Sequence, residues 1–243
     1  MIKVIVIGAG GKMGATTVSA IEATPDLELV AALDLEDSLE EACRTHQPDV
    51  AVDFTHPSCV FSNSETLIAH NVRPVVGTTG LSTEQLDTLT AKCAEKKLGA
   101  LICPNFAIGA ILMMKLSETV AQYMPFCEIV EMHHNQKADA PSGTAIKTAE
   151  LIKAANPRIN EDPLDEEEII KGSRGGSCES IPVHSIRLPG YVAHQEVIFG
   201  GLGQTLRIRH DSIDRTSFMP GVVMAVKKVM ELDTLVYGLD NVI

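Results

Sequence analysis

Residues 2–14 read IKVIVIGAGGKMG, and this stretch decides the fold of the first half of the chain. Residues 2–7 form a short β-branched run, as expected of a strand buried on both faces. It ends at Gly8, and a helix pattern follows through Ala15, Val18 and Ile21 before stopping near Thr24-Pro25. A second apolar run, Leu27 to Leu33, ends at Asp34, twenty positions after Gly14. Strand, glycine turn, helix, strand and terminal acid make up the dinucleotide-binding arrangement. The spacing is Gly8-x-x-Gly11-x-x-Gly14, with Gly10 as an extra glycine. The glycines allow a tight turn and bring a pyrophosphate close to the helix N-terminus. Asp34 is placed to accept hydrogen bonds from both hydroxyls of the adenosine ribose. Leu35 stands where an arginine would grip a 2′-phosphate, and Asp34 would repel that phosphate, so the reading leans to NADH. Lys12 lies in the turn and partly compensates, which keeps NADPH open.

The pattern continues outward from this unit. A helix over about 37–46 leads to a strand from Asp49 to Phe54, and Thr55-His56-Pro57-Ser58 opens a helix to about His70. Strand Pro74–Val76 ends at Gly77-Thr78-Thr79-Gly80. A helix capped by Ser82 runs to about Lys97, and strand Ala100–Cys103 ends at Pro104-Asn105-Phe106. This alternation predicts a parallel sheet with a ligand crevice at the strand C-termini, where Thr55, Gly77-Thr78-Thr79 and Asn105-Phe106 would surround the nicotinamide. Beyond a helix over about 107–122 the pattern changes. An irregular region spans Pro157 to Gly176. Strands Ser180–Leu188, Tyr191–Phe199 and Thr205–His210 follow, with turns at Pro189-Gly190 and Gly200-Gly201-Leu202-Gly203, and read as antiparallel hairpins. A last helix runs from Asp214-Arg215 to about Glu231 and returns to the first domain. The expected fold class is α/β: a Rossmann-type parallel sheet domain (1–104 and 214–243) plus a second α+β domain (105–213) with a mixed or antiparallel sheet.

Most of the chemistry lies in Glu128 to Ala145, EIVEMHHNQKADAPSGTA. Residues 128–133 read as a strand, on which His133 and His134 would point to opposite faces. Lys137 follows the strand and can fold back towards His133. Asp139-Ala140-Pro141-Ser142 reads as a turn, with Ser142 the N-cap of a helix through Thr144, Ala145, Ile146 and Leu151. Gly143 lets an anion approach the first-turn N–H groups. Proton donors beside an anion cradle suit a small substrate carrying carboxylates. Glu131 with the two histidines could form a metal site, but adjacent strand histidines diverge and no further ligand has zinc spacing, so no metal is expected.

Bulk properties exclude several classes. The chain has 243 residues and a net charge of 20 − 32 = −12, which argues against nucleic acid as a partner. Against this background, the positive groups at His134 and Lys137 stand out. Part of the excess acid, Glu161-Asp162 and Asp165 to Glu168, reads as a solvated loop and helix start. No apolar run is long enough for a membrane span, and the N-terminus lacks a signal-peptide pattern. The 6 cysteines form no Cys-x-x-Cys pair and read as reduced thiols in a cytoplasmic protein. From the residues alone, two rivals stay open: another two-domain NAD(P) enzyme, such as an amino-acid dehydrogenase or an acylating aldehyde dehydrogenase using Cys103, and a nucleotide-binding regulator that senses the NADH/NAD ratio.

Taken together, the motifs resemble the 4-hydroxy-tetrahydrodipicolinate reductase (dihydrodipicolinate reductase) family over nearly the whole chain. They are Gly8-x-x-Gly11-Lys12-Met13-Gly14, Asp53-Phe54-Thr55, Gly77-Thr78-Thr79-Gly80 and Pro104-Asn105-Phe106. The most specific is Glu131-x-His133-His134-x-x-Lys137-x-Asp139-Ala140-Pro141-Ser142-Gly143-Thr144-Ala145. Ser185-x-Arg187 and Asp214-Arg215-x-x-Phe218 support it. The resemblance implies reduction of 4-hydroxy-tetrahydrodipicolinate by NADH or NADPH in diaminopimelate and lysine biosynthesis. It implies a cofactor on Gly8, Ala9, Gly10, Gly11, Lys12, Met13, Asp34, Gly77, Thr78, Thr79, Cys103, Pro104, Asn105 and Phe106. It also implies proton transfer by His133 and Lys137, carboxylate binding by His134, Gly143 and Thr144, and a homotetramer built through the second-domain sheets, with hinge closure of the two domains. Leu35, Lys12 and Val192-Ala193-His194-Gln195 depart from the commoner family residues. The first two bear on cofactor preference and the third on the second sheet.

Overall fold

The computed structural model describes residues 1–161 and 167–243. The backbone forms two units, one of residues 1–107 with 215–243 and the other of residues 108–214.

The first unit carries a six-stranded sheet. Its strands are β1 (Ile2–Ile7), β2 (Leu27–Leu33), β3 (Val50–Asp53), β4 (Arg73–Val76), β5 (Ala100–Ile102) and the late β11 (Leu235–Tyr237). They lie in the order β11-β5-β4-β3-β1-β2, all parallel. Helices α1 (Lys12–Glu22), α2 (Leu39–His46), α3 (Val60–Ala69) and α4 (Thr83–Lys96) alternate with the strands, and α7 (Met219–Lys228) joins from the C-terminal part. Central strands of such a sheet have no wet face, so Val4, Ile5, Val6, Val50, Ala51 and Val52 are fully buried. Ser82 and Gln85 form a reciprocal capping box that fixes the start of α4. Two glycines of the first turn are required sterically. Gly8 has φ +79°, and a Cβ on Gly14 would meet the Gly8 carbonyl oxygen at 2.0 Å, so α1 packs on the turn only without a side chain there.

The second unit holds α5 (Ile108–Ala121), β6 (Phe126–His133), α6 (Gly143–Ala155), β7 (Gly176–Cys178), β8 (Ile181–Arg187), β9 (Ala193–Gly201) and β10 (Gln204–Ser212). The sheet order is β10-β9-β6-β8-β7, with β6 and β8 parallel and the other pairs antiparallel. On β6 and β9 the cross-strand pairs Cys127/Phe199, Ile129/Val197 and Glu131/Gln195 are all buried.

Several expectations need correction. The Pro189-Gly190 turn does not close a hairpin, because β6 lies between β8 and β9. Five residues, 188–192, span up to about 17 Å, ample to step over one strand at roughly 10 Å. β6 and β9 both carry buried inner faces and are each paired on both edges. The C-terminal helix is broken into 3₁₀ turns at Arg215–Phe218 and Val229–Glu231 around α7, with a proline at the start of α7. Strands β7 and β11 were not anticipated, each being only three residues long. Of the acidic run, residues 162–166 lie outside the described residues. Glu168 starts no helix; its carboxylate accepts from the Gly172 and Arg174 N–H groups at 3.0 Å each. No helix among the described residues is long and apolar enough to cross a membrane.

Candidate active site

In the first unit, the turn after β1 and the end of β2 open a cleft of about 360 Å³ lined by Gly8, Gly11, Asp34, Leu35 and Thr55, among others. Gly11 is the N-cap of α1 and has no side chain with which to cap it, so the helix meets the cleft with its backbone. Asp34 is exposed at the end of β2. Its Oδ2 accepts from the Gly10 N–H at 3.0 Å and its Oδ1 from the Leu35 N–H at 2.9 Å. Leu35 is 97% exposed, so no cation follows the acid at this position.

The floor of the crevice is built on a residue the sequence reading used only as a family marker. Asp53, fully buried at the end of β3, has Oδ1 accepting from Thr55 N (2.9 Å), Thr55 Oγ1 (2.6 Å) and Thr78 Oγ1 (3.0 Å). Its Oδ2 accepts from Asn63 Nδ2 (2.9 Å). A buried carboxylate needs such a set of donors. It ties the ends of β3 and β4 to α3, and so brings Thr78 beside Thr55, with the Gly77 N–H donating to the Asp53 carbonyl at 2.9 Å. Cys103, Pro104, Asn105 and Phe106 follow β5 at the same edge of the sheet. There Asn105 Oδ1 accepts from the Ala107 N–H at 2.8 Å, and Phe106 packs edge-to-face on Phe54 at 5.7 Å. Cys103 is fully buried, and burial pushes its thiol far above its ordinary range, reinforced by Asp240. A thiol so held is no nucleophile, which removes the acylating aldehyde dehydrogenase alternative.

In the second unit, β6 delivers Glu131 and His133 to one face, since residues two apart on a strand share a side. Glu131 is fully buried and accepts from four sides. His133 Nδ1 lies 2.5 Å from Oε2, Arg187 Nη1 donates to Oε2 and Nη2 to Oε1 at 2.8 Å each, and the Ser142 N–H donates to Oε1 at 3.2 Å. Arg187 is placed by register, opposite His133 at the end of β8. Burial pushes the Glu131 carboxyl up, but the hydrogen bonds from His133, Arg187 and Ser185 outweigh it and hold it down at about 2. In the sequence alone, Glu131 is a motif position and a discounted metal ligand. The 56 residues separating it from Arg187 hid the pair.

The loop that follows gathers the other expected residues. His134 lies beyond the end of β6 and is exposed, so the two histidines do not diverge from one strand as anticipated. Pairing with Arg187 and Ala193 ends at His133, and the chain then turns, with Lys137 N donating to the His134 carbonyl at 3.2 Å. Lys137 Nζ donates to both oxygens of Asp139 at 2.8 Å, which lowers the Asp139 carboxyl. It makes no hydrogen bond to His133. Ser142 caps α6 by accepting from the Ala145 N–H at 3.2 Å. Gly143 opens the helix with nothing within 4 Å of where a Cβ would stand, leaving its surface clear for an anion. The Thr144 carbonyl is held within the first turn by the Thr148 hydroxyl. Among the described residues, no group of three or more metal-ligating side chains is gathered.

Comparison with known proteins agrees with this architecture. The family model described as "Dihydrodipicolinate reductase, N-terminus" matches residues 2–106, and that described as "Dihydrodipicolinate reductase, C-terminus" matches 109–243. The 4-hydroxy-tetrahydrodipicolinate reductase of Halalkalibacterium halodurans is 51% identical, covering 100% of both chains. That of Coxiella burnetii is 50% identical, over 100% of this chain and 99% of the relative. The structure of dipicolinate-bound dihydrodipicolinate reductase from Paenisporosarcina sp. TG-14 superposes with a TM-score of 0.94 at 44% identity, covering 100% of each chain. An amine dehydrogenase from Mycobacterium smegmatis shares the fold alone, with a TM-score of 0.65 at 13% identity, covering 98% of this chain and 95% of that one. With both halves matched, and full-length relatives near half identity, the chain belongs to the dihydrodipicolinate reductase family of NAD(P)H-binding oxidoreductases.

Proposed function

We infer that this chain reduces 4-hydroxy-tetrahydrodipicolinate to tetrahydrodipicolinate with hydride from NAD(P)H, a step of diaminopimelate and lysine biosynthesis. The observation that carries the reading is the tethering of His133 by buried Glu131 close in sequence to the capped, unobstructed start of α6. Loss of the 4-hydroxyl as water leaves a conjugated cyclic imine, and hydride arriving at its unsaturated carbon gives an electron-rich enamine that needs a proton. An imidazole supplies one near neutral pH. His133 is the proton donor in this reading. Lys137 is the second cation, relaying the proton or stabilising developing negative charge, with Asp139 holding it until substrate competes. His134 and the Gly143 and Thr144 backbone bind a carboxylate. The dipicolinate in the Paenisporosarcina structure, an aromatic dicarboxylate, is chemically close to such a substrate.

The cofactor reading places the pyrophosphate on Gly8 to Met13, the adenosine ribose on Asp34, and the nicotinamide by Gly77 to Thr79 and Cys103 to Phe106. Cys103 and Phe106, being buried, serve through their backbone. NADH is the preferred donor, because an exposed acid followed by an exposed leucine offers a 2′-phosphate repulsion and no partner. Hydride transfer requires the nicotinamide on the first unit to reach the ring held by the second. The chain works as a cytoplasmic homotetramer built on the second sheet, whose outer residues Val130 and Ile198 are only partly covered within one chain. Supplying 4-hydroxy-tetrahydrodipicolinate with NADH and NADPH in parallel tests the reading through nicotinamide absorbance. Oxidation of either cofactor that depends on substrate is expected. Tight NADH binding with no turnover of this dicarboxylate would overturn it.

A further inference from the structure

We propose that Glu131 is the positioning residue of proton transfer: its carboxylate fixes the tautomer of His133 and the distance from that imidazole to the anion-binding start of α6. The proposal rests on the reading of His133 as proton donor. A carboxylate buried without exposure endures only when its lone pairs are filled, and here each oxygen takes two bonds from among His133, Arg187 and Ser142, with the Ser185 hydroxyl as a further donor. Oε2 takes His133 and Arg187; Oε1 takes Arg187 and the backbone of Ser142, the residue that caps α6. The same guanidinium donates to the Asp139 carbonyl at 2.7 Å. One carboxylate thereby joins the end of β6, the end of β8, the loop and the N-cap of α6.

An ionised carboxylate has no hydrogen to donate, so the proton in the bond to Nδ1 belongs to the imidazole. Nε2 is then the nitrogen that exchanges a proton with substrate. A cyclic dicarboxylate has a fixed covalent distance between its reacting carbon and its carboxylate. The tether fixes the His133 ring relative to the start of α6 through Glu131 and the Ser142 backbone rather than through the exposed residues 134–136.

Glu131→Gln separates this role from simple packing. Arg187 only donates, so the new NH₂ group opposes donors wherever it sits. At the Oε1 position it would face two fixed donors, Arg187 and Ser142; at the Oε2 position it faces only one, with His133 able to switch tautomer, while the Ser185 hydroxyl can turn to accept and so opposes neither orientation. The amide therefore turns its NH₂ group to Nδ1, which must then accept, and the doubly protonated imidazole loses its partner. The experiment combines steady-state kinetics on the full chain with ¹⁵N NMR of the histidines, the His133 signal being assigned by its loss in His133→Gln. Wild type is expected to show Nδ1–H in the neutral ring and the variant Nε2–H. In the variant kcat should fall by about 10²–10⁴-fold, with the KM for substrate and the Kd for NADH within about threefold of wild type. An Nε2–H tautomer in the wild type overturns the proposal whether or not the variant folds. So does a folded variant with near-normal kcat, or one impaired through KM alone. A wild type that turns over no substrate sinks the reductase reading instead, and the wild-type tautomer still decides whether the tether exists.

Discussion

Acid should unfold this chain partly through one carboxyl group. Glu131 titrates near 4.5 when unfolded and at about 2 in the fold, because His133, Arg187 and Ser185 stabilise its charged form. A folded-state value below the unfolded one contributes stability that is complete above about 4.5. It is lost as the pH falls from there through about 2, where the unfolded chain binds a proton that the native chain refuses. The difference of roughly 2.5 pH units corresponds to about 3 kcal/mol. The perturbation is a pH series of urea titrations followed by circular dichroism, since the chain has no tryptophan. Wild type and Glu131→Gln are measured side by side. Other depressed carboxyls, those of Glu128 and Asp211 among them, respond in both proteins and cancel in the difference. Between pH 5 and pH 3 the stability gap should narrow by about 2 kcal/mol, since the wild type has the Glu131 contribution to lose and the variant does not. Parallel loss in the two proteins across that interval would refute the argument.

Other expectations concern function directly. His133→Gln should lower kcat by about 10²–10⁴-fold and leave calorimetric NADH affinity nearly intact, and equal loss of both would remove the proton-donor role. Leu35→Arg adds a cation next to Asp34 at an exposed position, so the NADPH-to-NADH ratio of kcat/KM should rise roughly tenfold, or about 1.4 kcal/mol. An unchanged ratio would mean that this position does not meet the ribose. Gly143→Val fills open space at the start of α6, so thermal stability should hold within about 1 kcal/mol while substrate KM rises about tenfold or more. A normal KM would show that no carboxylate approaches there.

Much of the first unit was legible in order, because parallel βα units carry their signal locally. The buried run at Val4 to Ile7, the glycines before α1 and the serine before α4 each state their own geometry within a few residues. In the loop from His133 to Thr144 the Ser142 cap of α6 was legible for the same reason, since the cap and the helix are contiguous. The hub residues were not. Asp53 stood within the expected strand Asp49 to Phe54 as one position of a motif, yet its partners Asn63 and Thr78 stand 10 and 25 residues away. Arg187 looked like a strand terminus before a turn.

Local sequence was enough for most helix and strand periods, the caps and the glycine turn before α1. Those depend on interactions within one or two turns of chain. Which strand sits between which was settled by burial over long separations. Pro189-Gly190 makes a reversal whichever neighbour β8 and β9 choose, and β6 lies between them with its inner residues Cys127, Ile129 and Glu131 buried. That choice sets Arg187 opposite His133 and closes the guanidinium on Glu131. The position of the imidazole is thus a property of the assembled sheet, since a buried charge can be held only by partners that the whole fold brings to it.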